Sequence, residues 1–181
     1  SLALSFVMGA FFAYIAASPF IFQNIYGLSP LGYSIFFGIN AFSIAVFANL
    51  SAFLTKYFKE KTLVFIAMFV QLTLCIVFIT VVSLQIDNLY IIAFILGLFV
   101  SMMGAAQSAG FGIVMSSRIG GAGAASGIIG VLNFVSGAIT SPLVGLMGDQ
   151  SIMITMTVCS IMSILCFAYA HRFHGGQLHE L

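Results

Sequence analysis

Charged side chains are nearly absent from this sequence. Five Lys or Arg and four Asp or Glu are spread over 181 residues, whereas a soluble domain carries roughly a quarter charged residues. That scarcity excludes a soluble globular domain. A net charge of +1 also excludes nucleic-acid binding, because it offers no basic surface to phosphate. No charged tail is present to recruit a partner of opposite sign. Cysteine is equally sparse: Cys75, Cys159 and Cys166 each sit in an apolar run with no CxxC pair. Neither a disulfide framework nor a zinc site has its ligands, and the three are read as small apolar packing residues.

Catalytic signatures are lacking too. AASG at 124–127 superficially matches a rhomboid-type serine motif with Ala124 in place of Gly, but a serine nucleophile needs a base nearby. The three histidines, His171, His174 and His179, all fall in the expected tail. No HExxH helix and no NPA box occurs, which sets aside an intramembrane metalloprotease and an aquaporin. The chain is read as a non-enzyme that needs no cofactor or metal.

What is abundant is apolar sequence: 62% of residues are hydrophobic and the mean hydropathy is +1.22. A membrane-spanning helix needs about 20 predominantly apolar residues. Polar punctuation places six such helices, at about 1–23, 31–55, 62–84, 89–115, 124–147 and 152–170, followed by a cytoplasmic tail at 171–181. The first segment has no basic flank and is too long for the apolar region of a secretory signal, so it is read as a span. It begins at Ser1 inside an apolar helix, from which we expect further chain upstream.

Lys56, Lys59 and Lys61 fall between the second and third spans, Arg118 between the fourth and fifth, and Arg172 after the sixth. With six spans these positions share one side of the membrane, while Asp87 and Asp149 lie on the other. The positive-inside rule then makes both termini cytoplasmic.

Twelve of the 18 glycines lie between Gly97 and Gly148, and the third and sixth spans have none. Small residues let membrane helices approach closely, so spans four and five are expected to be packed and spans three and six peripheral. A bulky, Gly-free helix closing each triplet suggests a three-plus-three repeat, a construction common in secondary transporters. On the fifth span Gly130, Asn133 and Gly137 share a small, polar face with Ser126 and Thr140. That face and Asn40 are assigned to packing or to contact with another half. No charge sits at membrane depth, where charges mark ion or proton pathways. The uncharged polar groups Tyr14, Ser18 and Gln107 are the candidate cavity contacts. Pro19 and Pro142 are candidate kinks or gate hinges.

AASPFIFQNIYGLSPLGYSIFFGINA at 16–41 resembles the seventh and eighth helices of the Bcr/CflA drug-resistance branch of the major facilitator superfamily. GAASGIIGVLNFVSGAITSPLVGLMGD at 123–149 is similar to that branch's eleventh helix. LTKYFKEKTL at 54–63 occupies the place of the superfamily's cytoplasmic loop signature, whose GxxxDRxGRR form is not reproduced. The resemblance spans the chain as a carboxyl-terminal half. It implies proton-coupled export of small hydrophobic drugs through a cell (inner) membrane by alternating access. The first and fourth helices would line the cavity, the second and fifth would meet the missing amino-terminal six-helix half, and the third and sixth would face lipid. The alternatives are a non-transporting six-helix membrane protein, either a remnant or an interaction module, and a homodimeric half-transporter.

The expected topology is directly measurable. Cysteine labels placed at Asp87 or Asp149 should react from outside and labels near Lys59 or Arg118 from inside. Reversed accessibility at any two of these loops would sink the six-span arrangement.

Overall fold

A computed structural model of the protein describes residues 2–85, 88–116, 122–147 and 149–175. Asp87, Arg118 and His179, named above, lie outside the described residues, as does most of the Gly-rich loop at 116–123. The fold is all-α, and the described residues form six α-helices: α1 (Leu2–Pro19), α2 (Pro30–Leu54), α3 (Glu60–Ser83), α4 (Leu89–Ser116), α5 (Ala122–Met147) and α6 (Asp149–Gly175). The first is continued by a π-helical segment, Phe20–Ile25. Among the described residues, five helices are long and apolar enough to cross a membrane, and α6 adds a shorter apolar stretch, Ile154–Tyr169. The helical backbone of α6 takes in Asp149, expected in a loop, and His171, Arg172 and His174, expected in a tail.

Local chemistry sets several of the ends. Pro30 opens α2, where its missing N–H costs nothing, and the Ser29 hydroxyl accepts from the Gly32 N–H at 3.1 Å. Asn88 plays the same capping part for α4, its side-chain oxygen accepting from the Tyr90 N–H at 3.0 Å. Glu60 sits in the first turn of α3, where a carboxylate complements the helix dipole. Gln85, with φ 53°, ends α3 in the left-handed conformation that stops a helix.

The helices exchange partners between triplets. Helix α1 packs along α5 and α6, and α4 packs along α2 and α3, while α3 also meets α6. These pairings map onto one another when α1, α2 and α3 are interchanged with α4, α5 and α6. The three-plus-three repeat is therefore visible in the packing itself. It makes α1 and α4 the inner pair, with 56% and 50% of their most apolar stretches buried, against 6% for α2.

This arrangement corrects the expectation drawn from glycine. Helix α3 is not peripheral: Val64, Ala67, Met68, Gln71, Cys75 and Phe78 are all buried. Helices α4 and α5 are packed as expected, α4 on α2 and α3 and α5 on α1. Glycine marks where backbones come close, whereas α3 packs through larger side chains, Val64, Met68, Cys75 and Phe78 among them. The free cysteines Cys75 and Cys159 are buried in that packing, and Cys166 is half-buried.

Close approach occurs where small residues face a neighbour. A Cβ on Gly104 would lie 2.5 Å from the Ile44 carbonyl oxygen of α2, and one on Gly97 would lie 2.9 Å from Asn40 Oδ1. Ser51 ties the same two helices by donating to the Ala105 carbonyl at 3.0 Å. On the other side of the bundle, Gly137 of α5 lies against the Phe12 ring of α1. Thr140 donates to the Gly9 carbonyl at 3.0 Å. At Gly137 and Thr140 the small face of α5 thus meets α1 inside the chain, the packing alternative of its assignment. Gly130 does not take part in that packing, because nothing lies within 4 Å of where its Cβ would be. The bulky side of α5, with Ile128, Val131, Phe134 and Ile139, is exposed, as are Leu31, Ile35, Ile39 and Phe42 of α2.

Two classes of glycine follow. Gly104→Leu and Gly137→Leu should sharply lower the yield of folded protein, since overpacking typically costs about 1–3 kcal/mol and here backbone or ring must move. Gly130→Leu should be tolerated. Equal yields for all three, measured by size-exclusion chromatography after extraction, would refute the packing.

Candidate functional site

Proline chemistry shapes the end of α1. Pro19 has no N–H, so the Ile15 carbonyl loses its helical donor. The Ser18 hydroxyl donates to that carbonyl at 3.3 Å. Immediately afterwards the helix widens into the π segment, a local adjustment that re-forms backbone hydrogen bonds around a break and recurs at functional sites. The Leu28 N–H then bonds the Phe22 carbonyl at 2.9 Å. Gly27 adopts φ 66°, which a residue without Cβ takes at no steric cost, and the chain turns into α2. Pro142, by contrast, lies on an exposed part of a continuous α5.

Two hydrogen-bonded pairs then bridge α1 and α2. The Ser18 and Tyr33 hydroxyls lie 2.7 Å apart. Either hydroxyl can be the donor in this pair. One turn further in, Asn40 Nδ2 donates to the Tyr14 hydroxyl at 2.7 Å. Tyr14 is 1% exposed, Ser18 0% and Asn40 5%. The backbones of α1 and α2 barely meet, so these long polar side chains span the gap, and the missing side chain of Gly97 admits Asn40 from the α4 side. Asn40, assigned from sequence to packing or an inter-half contact, is an internal partner of Tyr14. An aromatic group closes the same end: Phe22 and Phe36 have centroids 4.5 Å apart, Phe22 and Tyr33 6.4 Å, and Tyr33 and Phe37 5.9 Å.

The third cavity candidate stands elsewhere. Gln107 Nε2 donates to the Leu4 carbonyl at 3.0 Å, and Leu4 precedes Tyr14 by ten residues, or about 15 Å of helix. Tyr14 and Ser18 are brought together with Asn40 and Tyr33; Gln107 is not. Asn133 is buried on α5 with its Oδ1 unpartnered among the described residues, while Gly137 lies on Phe12. Tyr33 escaped sequence reasoning. The signal was there, because both pairs straddle the turn at 24–30 almost symmetrically, with separations of 15 and 26 residues, as cross-contacts in a helical hairpin must.

Chemically the bridge supplies hydroxyl and amide groups beside aromatic faces. It can hydrogen-bond an uncharged polar group and stack on an apolar one. Among the described residues no charged side chain is buried, and no group of three or more His, Cys, Asp or Glu could hold a metal ion.

The described residues thus form a six-helix bundle with an internal repeat and a polar bridge on an inner helix, a construction common in secondary transporters. The chain is 29% identical over 181 residues to YdgK of Bacillus subtilis (strain 168), described as an uncharacterised transporter of the MFS type. The match takes in 98% of this chain and 44% of that protein, so the chain spans less than half the length of the relative it matches. This likeness supports a major facilitator half without selecting a drug-resistance branch. No family model matches the chain, and no solved structure matches it significantly.

The Tyr14–Asn40 bond is testable by a double-mutant cycle. Tyr14→Phe and Asn40→Leu should each destabilise the protein by about 0.6–1.7 kcal/mol, the range for interhelical hydrogen bonds in membranes. The double variant should lose less than the sum of the two. Strictly additive losses in thermal unfolding would show that the two side chains do not interact.

Proposed function

We propose that this chain forms one six-helix half of a proton-coupled multidrug exporter that moves small hydrophobic compounds by alternating access across a cell (inner) membrane. The observation that carries this reading is the uncharged hydroxyl–amide bridge on α1, an inner helix, flanked by aromatic rings. Once alternating access opens the bundle there, hydroxyl and amide groups beside aromatic rings suit a guest that is mainly apolar and presents a polar atom or two. The likeness to an MFS-type transporter supports transport, and the resemblance at 16–41 and 123–149 supports the drug-export branch.

The exposed apolar faces of α2 and α5 are assigned to the second six-helix half, with the remaining outward faces meeting lipid. Proton coupling requires a group that changes charge within the membrane. The buried polar residues described are Ser, Thr, Asn and Gln alongside tyrosine, so the coupling group is assigned to the other half. Gln107 is a second substrate contact, nearer the end of the bundle that carries Lys56, Lys59 and Lys61.

In the full-length protein, Tyr14→Phe, Tyr33→Phe and Gln107→Ala should change drug resistance at unchanged membrane abundance. A lost hydrogen bond of about 1 kcal/mol corresponds to roughly a fivefold change in apparent affinity. Wild-type resistance to several drugs in all three variants would overturn the assignment.

A further inference from the structure

The apolar core of the bundle is divided in two. One cluster holds Leu4 and Val7 of α1, Val64, Ala67 and Met68 of α3, and Met103 and Ala106 of α4. The other runs from Ala10 to Phe22 on α1 and includes Cys75 and Phe78 of α3, Leu96 and Val100 of α4, and Met156 and Cys159 of α6. The buried residues that separate them on α3, α4 and α6 are polar. They are Gln71 on α3, Ser101 on α4, and Ser160 and Ser163 on α6, all at 0–1% exposure. The Gly9 carbonyl, which accepts from Thr140, lies at the same level of α1. A polar belt therefore crosses the middle of the bundle, about one helical turn inward of the Tyr14–Asn40 bridge and away from both loop regions.

Gln71 is the outlier of this belt. Its side chain is fully buried, and neither Nε2 nor Oε1 has a hydrogen-bond partner among the described residues. The serines are differently placed. Ser101 donates to the Gly97 carbonyl at 2.8 Å, and Ser163 donates to the Ser160 carbonyl at 2.8 Å. Each has used its one proton and keeps acceptor lone pairs. Cys75, one turn from Gln71 on the same face of α3, lies 3.8 Å from the Ser160 hydroxyl. Helices α3 and α6 run antiparallel, so one turn along from that contact sets Gln71 at the level of Ser163.

A buried amide left bare costs on the order of 1–3 kcal/mol for each unpaired group. Internal water satisfies such groups when two to four polar partners converge. A hard cation is a poor fit, because the belt offers no carboxylate. We propose that Gln71 anchors an internal water site at mid-depth between α3, α4 and α6. Its Oε1 accepts from the water, its Nε2 donates to it, and the serine oxygens of the belt accept the second water proton. The site is distinct from the α1–α2 bridge and does not depend on the transport reading.

Radiolytic hydroxyl labelling in lipid nanodiscs tests this directly, since radiolysis of a held water oxidises side chains beside it. Met68 and Cys75, at 0% and 2% exposure, flank Gln71 by about a turn. In the wild-type protein both should be oxidised at least severalfold faster than Met156, which is equally buried at 1%. In Gln71→Leu their rates should fall to that of Met156, and in Ser163→Ala they should fall part of the way. No oxidation of Met68 or Cys75 in the wild type would overturn the proposal, and that result needs no variant to fold. Persistence of both rates in Gln71→Leu, or labelling of Met156 at the same rate, would overturn it equally by showing general access of bulk water.

Discussion

Helix α4 lies against α2 because Gly97 and Gly104 carry no side chain where the two cross. In a bilayer no hydrophobic gain accompanies helix association, since lipid tails are as apolar as leucine. Cohesion therefore rests on dispersion contacts at short range and on hydrogen bonds between helices. Both need backbones close together, and at Gly104 the Ile44 carbonyl occupies the space a Cβ would take. With α2 held there, the hydroxyl of Ser51 reaches the Ala105 carbonyl and Asn40 reaches past Gly97 to Tyr14. The bridge proposed as a substrate contact exists because two glycines let a neighbouring helix in.

The exchange of partners between triplets has a functional consequence. Each triplet supplies the neighbours that bury the first helix of the other, so α1 and α4 become inner helices without being the most polar. The small face of α5 serves α1 through Gly137 and Thr140, as the small residues of α4 serve α2. The bulky faces of α2 and α5 are then left outward on equivalent helices.

The positions of the six helices were legible because each interruption is chemical: Ser29–Pro30, the lysine-rich stretch at 56–61, and Asn88. Tyr14 and Ser18 were legible as a pair, being one turn apart on one helix. Their partners Tyr33 and Asn40 were partly legible, since residues on either side of a hairpin turn face each other at matching distances. The burial of α3 was misread, because glycine content reports how near two backbones come and not how much of a helix is covered.

The sequence by itself determined that the chain is a membrane protein, that it folds into six helices, and that its interior polar groups are uncharged. Those follow from composition and from interactions within a turn or two of chain. Only the tertiary structure decided that α1 packs on α5 and α6, that Asn40 meets Tyr14 while Gln107 stands about 15 Å away along α1, and that Gln71 is buried between two apolar clusters. The physical reason is that α-helices satisfy their own backbones. A sequence can therefore specify each one completely while leaving open which side of it meets which neighbour, and at what height.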